Sequence, residues 1–186
     1  IIAPALTIIK NDLNISFENT QLILTLYFTF LALGQILSGP FSDKYGRKPI
    51  LLLGASIYAV SAFFASLSSN IEILLILRCF QGFGAAACLS VGRTILSDCY
   101  EIKEAAKEMS KMTAIMAIIP ISCFIFGGFL AEFLGWRTNL IALGLISLIL
   151  IIAISLFLNE TLIKKAKSIS FKNMFVVYKR LIKTVS

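Results

Sequence analysis

The chain contains no histidine, which removes imidazole general bases, histidine proton shuttles and histidine metal sites together. Charge is scarce too: 15% of the 186 residues are Asp, Glu, Lys or Arg, against about 25% in ordinary soluble domains. The four cysteines, Cys79, Cys88, Cys99 and Cys123, lie mostly inside apolar runs without a C-x-x-C pair, so neither a zinc site nor a disulfide framework is indicated. What remains is apolar, with 58% hydrophobic residues and a mean hydropathy of +0.90. A soluble domain of this length could not hide so much apolar surface and still cover itself with polar groups. The excess needs lipid as a second solvent.

Stretches free of Asp, Glu, Lys and Arg cover residues 19–42, 49–71, 112–131 and 138–159, and about 20 helical residues cross the hydrocarbon core. Residues 73–97 are equally apolar but contain Arg78 and Arg93. The expectation is an all-α, polytopic membrane bundle. Its helices are assigned to 20–42, 49–71, 73–97, 112–133 and 138–159, with a cytoplasmic loop over 98–111 and a basic linker over 160–186. Residues 1–9 are apolar yet too short to cross, and are expected to be the remnant of a first helix cut in half.

Short loops rich in Lys and Arg stay in the cytoplasm. Lys44, Arg47 and Lys48 follow the span at 20–42; Lys103, Lys107 and Lys111 follow that at 73–97; Lys164, Lys165, Lys167, Lys172, Lys179, Arg180 and Lys183 follow the last. The intervening connections carry only Lys10 and Arg137. Segment 160–186 is therefore expected in the cytoplasm, where Phe171, Met174, Phe175, Tyr178 and Ile182 recur at helical spacing, as in an interfacial helix. That placement also gives the net charge of +7 a membrane explanation, so nucleic acid is not an expected partner.

Two arginines break the membrane rules. Arg78 lies about six helical residues, or roughly 9 Å, beyond Glu72 at the start of its span. Placing arginine there costs about 2.5 to 3.5 kcal/mol, so it is expected to face a cavity or a partner; snorkelling to the headgroups is the alternative. Gln81, at i+3, shares its face. Arg93 returns to within about 60° of Arg78 and is assigned to the same pathway face, whereas Asp98 is rotated by about 200° and addresses another neighbour or simply ends a solvated helix. Gly82, Gly84, Pro120, Gly127 and Gly128 suit close helix packing, static or sliding. No carboxylate lies at mid-membrane in a complete span. Metal ligands and a nucleophile beside a base are lacking as well, so enzymatic function is not expected. Gly39, Asp43 and Gly46 are echoed 89 residues later by Gly128, Glu132 and Gly135, and Arg47 90 residues later by Arg137, as an inverted repeat of three plus three helices would place them.

The run Gly39-Pro-Phe-Ser-Asp43-Lys-Tyr-Gly46-Arg47-Lys48-Pro-Ile-Leu51 resembles the cytoplasmic signature of the major facilitator superfamily. Leu77-Arg78-Cys-Phe-Gln81-Gly82-Phe-Gly84-Ala-Ala is similar to the fourth-helix signature of its twelve-span drug:proton antiporters, and Arg93-x4-Asp98, Gly135-Trp136-Arg137 and Glu160-Thr161 fit the same pattern. Within these the chain resembles the bicyclomycin/chloramphenicol-resistance (Bcr/CflA) family. Its fifth helix departs from the antiporter signature, with Cys123 and Phe124 where that signature has Gly-Pro.

The resemblance implies the N-terminal six-helix half of a secondary transporter in a bacterial inner membrane. Such a carrier exports a small-molecule drug or metabolite by alternating access, with a proton gradient and no cofactor. It implies coupling through Arg78, a cytoplasmic gate built on Gly39, Asp43, Gly46, Arg47, Lys48 and Asp98, and a second six-helix half as partner. The family's helix-one acid would fall immediately before Ile1. A facilitator-superfamily exporter of sugars or metabolites, and a non-transporting degenerate fragment or membrane assembly subunit, are the alternatives.

Overall fold

Each unsatisfied backbone N–H or C=O in hydrocarbon costs several kcal/mol, so the apolar runs must close their hydrogen bonds internally, and they do so as helices. A computed structural model describes residues 2–162. A short 3-10 turn, Ala3–Ala5, leads into α1 (Leu6–Leu13), followed by α2 (Phe17–Tyr45), α3 (Arg47–Ser66), α4 (Ile71–Cys99), α5 (Ile102–Leu134) and α6 (Trp136–Phe157). Helices α2 to α6 are each long and apolar enough to cross a membrane. Two starts carry side-chain caps: the Ser16 hydroxyl accepts from the Asn19 amide at 3.2 Å, and the Asn70 side-chain carbonyl accepts from the Glu72 amide at 2.9 Å.

Several boundaries differ from the sequence expectation. The segment 98–111, expected as a loop, is helical except at Tyr100 and Glu101. Lys103, Lys107 and Lys111 repeat every four residues along the first turns of α5, and Glu104 sits in its first turn. Charged residues end a hydrophobic stretch without ending a helix, which continues beyond the hydrocarbon. The expected remnant at 1–9 likewise runs on as helix to Leu13, where Asn14 turns the chain in a left-handed conformation. In contrast α3 stops at Ser66, short of residue 71, because Asn70 caps the helix that follows. Of the linker expected over 160–186, residues 163–186 lie outside the described residues.

Packing centres on α4, which lies against both α2 and α3, while α3 also packs on α6. Small residues let these backbones approach. A Cβ on Gly82 would collide with the Tyr27 carbonyl of α2, and one on Gly84 would come within 2.6 Å of the Gly54 carbonyl of α3. Close approach of this kind substitutes for the hydrophobic drive that lipid does not provide. Two apolar cores result. One gathers Ile2, Ala5, Ile9, Ile23, Leu74, Trp136 and Leu140 around α1. The other joins Ile50, Leu51, Ala87, Val91 and Ile154 toward the basic end. Elsewhere large apolar side chains such as Ile118, Ile121, Ile149 and Leu156 are exposed, a surface suited to lipid and not to water.

Helices α2 and α3 are joined by Gly46 alone, and α5 and α6 by Gly135 alone. Both glycines have positive φ, +113° and +85°, with ψ of 156° and 157°, a region essentially reserved for glycine. The backbone thus repeats itself at the two positions that the sequence echo singled out. We expect Gly135→Ala to cost about 1 to 3 kcal/mol through this strain. Gly92→Ala, in α4 with nothing within 4 Å of the added carbon, should cost nothing; denaturant titration in detergent micelles compares them.

Candidate functional site

At the basic end, Gly46 delivers Arg47 into a buried position, 6% exposed, at the first turn of α3. Its Nη1 donates to Ser42 Oγ at 2.6 Å and to Asp43 Oδ1 at 2.5 Å, and its Nε donates to Asp98 Oδ2 at 2.9 Å. The guanidinium therefore ties the end of α2 and the start of α3 to the end of α4. Because Asp43 and Asp98 are partly open to solvent, each charged hydrogen bond contributes in the range of about 1.5 to 3 kcal/mol and not the value of a fully buried pair.

Glu160 completes the cluster from beyond α6. Its carboxylate accepts from the Arg47 amide at 2.8 Å, the Lys48 amide at 3.3 Å and the Leu162 amide at 3.0 Å, so it caps the positive end of α3. Lys48 Nζ in turn donates to the Ser155 carbonyl in the last turn of α6 at 3.0 Å. A Cβ on Gly46 would strike the Glu160 carboxylate, a second reason for glycine there. Gly39 has open space around it and makes no close helix contact. Burial raises the Glu160 carboxyl, but the amide donors of Leu162, Arg47 and Lys48 outweigh this and hold it below the ordinary glutamate range.

Inside the bundle lies the second cluster. Arg78 is 4% exposed, donates to Gln81 Oε1 and to the Ile23 carbonyl at 3.5 Å, and lies 4.7 Å from the centroid of the Tyr27 ring. Gln81 is fully buried, and its Nε2 has no partner among the described residues. No carboxylate pairs with Arg78 among the described residues; aromatic face, amide and backbone carbonyl solvate it instead. Arg78 also borders a cavity of about 370 Å³. The walls include Ile2, Tyr27 of α2, Tyr58 of α3, Cys123 of α5 and Leu143 of α6, so every part of the chain from the N-terminal turn to α6 except α1 itself reaches it.

Pro120 borders the same cavity. Gly127 is buried and its carbonyl accepts from Asn139 Nδ2 of α6 at 2.9 Å, while a Cβ on Gly128 would lie 3.7 Å from Pro4, ordinary contact that leaves room for it. Arg93 does not join the group. Fifteen residues along α4 place it about 22 Å from Arg78, and it is exposed, with no side-chain hydrogen bond or ion pair to the described residues. Shared angular position on a helix did not bring the two arginines to one place. Sequence reasoning passed over Tyr27 and Tyr58, since an aromatic ring within an apolar run carries no mark that separates a cavity wall from filler. It also assigned Glu160 no capping role, which only the close approach of the end of α6 to the start of α3 reveals.

The profile of the Major Facilitator Superfamily matches residues 1–183. Over 161 residues the chain is 37% identical to an uncharacterized MFS-type transporter, YdgK, of Bacillus subtilis, covering 86% of this chain and 40% of that protein. It is 31% identical to a bicyclomycin resistance protein homolog of Haemophilus influenzae, covering 85% and 40% of the two chains. Against a chloramphenicol resistance protein of Pseudomonas aeruginosa it is 31% identical, covering 96% and 43%. The chain thus spans about 40% of the length of these relatives. It belongs to the Major Facilitator Superfamily, a family of transporters and not of enzymes.

With its carboxyl depressed, Glu160 contributes stability above the ordinary glutamate value of 4.5, and that contribution is lost as pH falls through the lowered value in the folded protein. Glu160→Gln should lower the melting temperature at neutral pH, with the gap to the unmodified protein closing in acid. Melting curves recorded across pH check this.

Proposed function

We propose that this member of the Major Facilitator Superfamily forms the N-terminal half of a secondary transporter that exports drugs by alternating access, driven by proton influx. The observation that carries the reading is the buried Arg78, paired with no carboxylate among the described residues, beside a cavity reached by α2 to α6. An arginine within a membrane bundle turns to the bundle interior or a water-filled cavity, because lipid solvates it poorly, and one that borders a cavity points to a substrate or ion path. The resistance proteins to which the chain is 31% identical support drugs as the cargo class. The charge asymmetry of the loops supports the bacterial inner membrane, with the Arg47 end and segment 160–186 on the cytoplasmic side.

In this reading Arg47, Lys48, Asp98 and Glu160 lock α3, α4 and α6 together at the cytoplasmic face, so that the half rocks as one body against the second six-helix half. Asp43, with its side chain 53% exposed, keeps an oxygen free to cap a helix across that interface and hold the outward-facing state. Arg78 and Gln81 sense charge in the pathway. The proton-carrying acid belongs to the remainder of the transporter, because the described carboxylates lie at helix ends or in the connections.

Drug accumulation in cells expressing the full-length protein tests the reading, with chloramphenicol as the probe and a protonophore as the control. Active expulsion that fails when the gradient collapses is expected; accumulation indifferent to the gradient contradicts proton coupling. Arg78→Ala should reduce expulsion by about tenfold or more, equivalent to about 1.4 kcal/mol on the transport barrier. Asp43→Asn should slow turnover at unchanged expression, and unaltered turnover in vesicles would remove the latch from the mechanism.

A further inference from the structure

The end of the bundle opposite Arg47 carries a second clamp. Gly135 delivers Trp136 and Arg137 at the start of α6, as Gly46 delivers Arg47 and Lys48 at the start of α3. Trp136 is 2% exposed, and its Nε1 donates to Asp12 Oδ2 at 3.0 Å. Arg137 Nη1 donates to the same oxygen at 2.7 Å, its Nη2 donates to the Ser68 carbonyl at 3.3 Å, and its guanidinium stacks over the Trp136 ring at 4.4 Å.

The two clamps are related by exchange of the repeats. At the basic end the α2–α3 turn is held by Asp98, near the end of α4, and by Glu160, beyond α6. At the other end the α5–α6 turn is held by Asp12, near the end of α1, and by Ser68, beyond α3. Each glycine turn is gripped by the closing ends of the first and third helices of the opposite repeat. The symmetry reaches the ligating groups and not only the fold.

We infer that Asp12, Trp136 and Arg137 are positioning residues that seat α1, and through it one wall of the Arg78 cavity. The route is short. Ile9 lies one turn before Asp12 and is fully buried in the core that also holds Trp136 and Leu140. At the other end of this segment the Ala3–Ala5 turn packs against α5, with Pro4 beside Gly128, and Ile2 and Ala3 line the cavity together with Tyr58 and Cys123. Release of Asp12 frees the helix into which these wall residues lead. The ion pair is itself solvent-exposed, and exposed pairs contribute little; the buried indole N–H, which has Asp12 as its acceptor, gives the contact its hold. That N–H first and the Arg137 guanidinium second keep the Asp12 carboxyl below its usual range, so the clamp stays charged at neutral pH. The inference goes beyond the transport reading and does not depend on the cargo.

Cys123 supplies a reporter in the cavity wall, and Cys88, packed beside the core at the basic end, supplies a remote control. Versions of the full-length protein retaining only one of these thiols are reconstituted in liposomes and labelled with N-ethylmaleimide. Asp12→Ala should speed labelling of Cys123 by about fivefold and leave Cys88 unchanged. Trp136→Phe, which keeps the ring and deletes the donor, should produce a similar change, and the two substitutions together should add little to either alone. Unchanged labelling of Cys123 in either folded variant overturns the inference. Equal acceleration at Cys123 and Cys88 also overturns it, since that is general loosening. Should Asp12→Ala not fold, Trp136→Phe alone decides by the same criteria.

Discussion

A guanidinium embedded among helices in lipid must be solvated by the protein, and this chain arranges several helices around that requirement. Gly82 and Gly84 bring α4 into backbone contact with α2 and α3. That contact sets Arg78 over the Tyr27 ring and within reach of the Ile23 carbonyl, while Gln81 one turn on takes another of its donors. Larger residues at the two glycines would push α2 and α3 away and leave the charge without these neighbours. The cavity beside Arg78 is where helices drawn together at α4 stop short of one another.

Holding such a bundle in register falls to its ends. Each three-helix repeat closes its second and third helices on one strained glycine, which fixes the direction of the chain but not the position of the pair relative to the other repeat. The side chains after the glycine do the rest. Arg47 reaches Asp98 across the repeats, and Arg137 reaches Asp12. The same logic appears twice with different chemistry: a buried arginine with three oxygen partners at one face, and a buried tryptophan with an exposed arginine at the other. The same device thus links the two repeats at both ends of the bundle.

Much of this was legible in the sequence because lipid imposes simple rules. Four charge-free runs, and a fifth interrupted by Arg78 and Arg93, located the five membrane-length helices, and a misplaced Arg78 drew attention to the cavity it borders. The losses have physical reasons too. Lysines at 103, 107 and 111 read as a loop because hydropathy measures the solvent and not the helix, so the long start of α5 was hidden. Arg93 shares its angle on α4 with Arg78, but rise along the axis separates the two and leaves Arg93 exposed, so a shared angle does not by itself place both at one cavity. Partners distant in sequence, such as Glu160 with the start of α3 or Asp12 with Trp136, could not be paired before the fold had brought them together. The glycine echo was the exception: spacing alone indicated two equivalent turns, and both glycines have the same unusual backbone conformation.

The central claim is that the Arg78 cavity opens to water while the outer faces of the helices meet lipid. Single cysteines at Tyr58, in the cavity wall, and at Ile149, on the exposed face of α6, would be placed in a cysteine-free background of the full-length protein in native membranes. Exposure to a membrane-impermeant charged thiosulfonate then compares the two positions. The account predicts reaction at Tyr58→Cys and none at Ile149→Cys. Reaction at Ile149→Cys with Tyr58→Cys protected would mean that the polar interior is sealed and the conduit is not there.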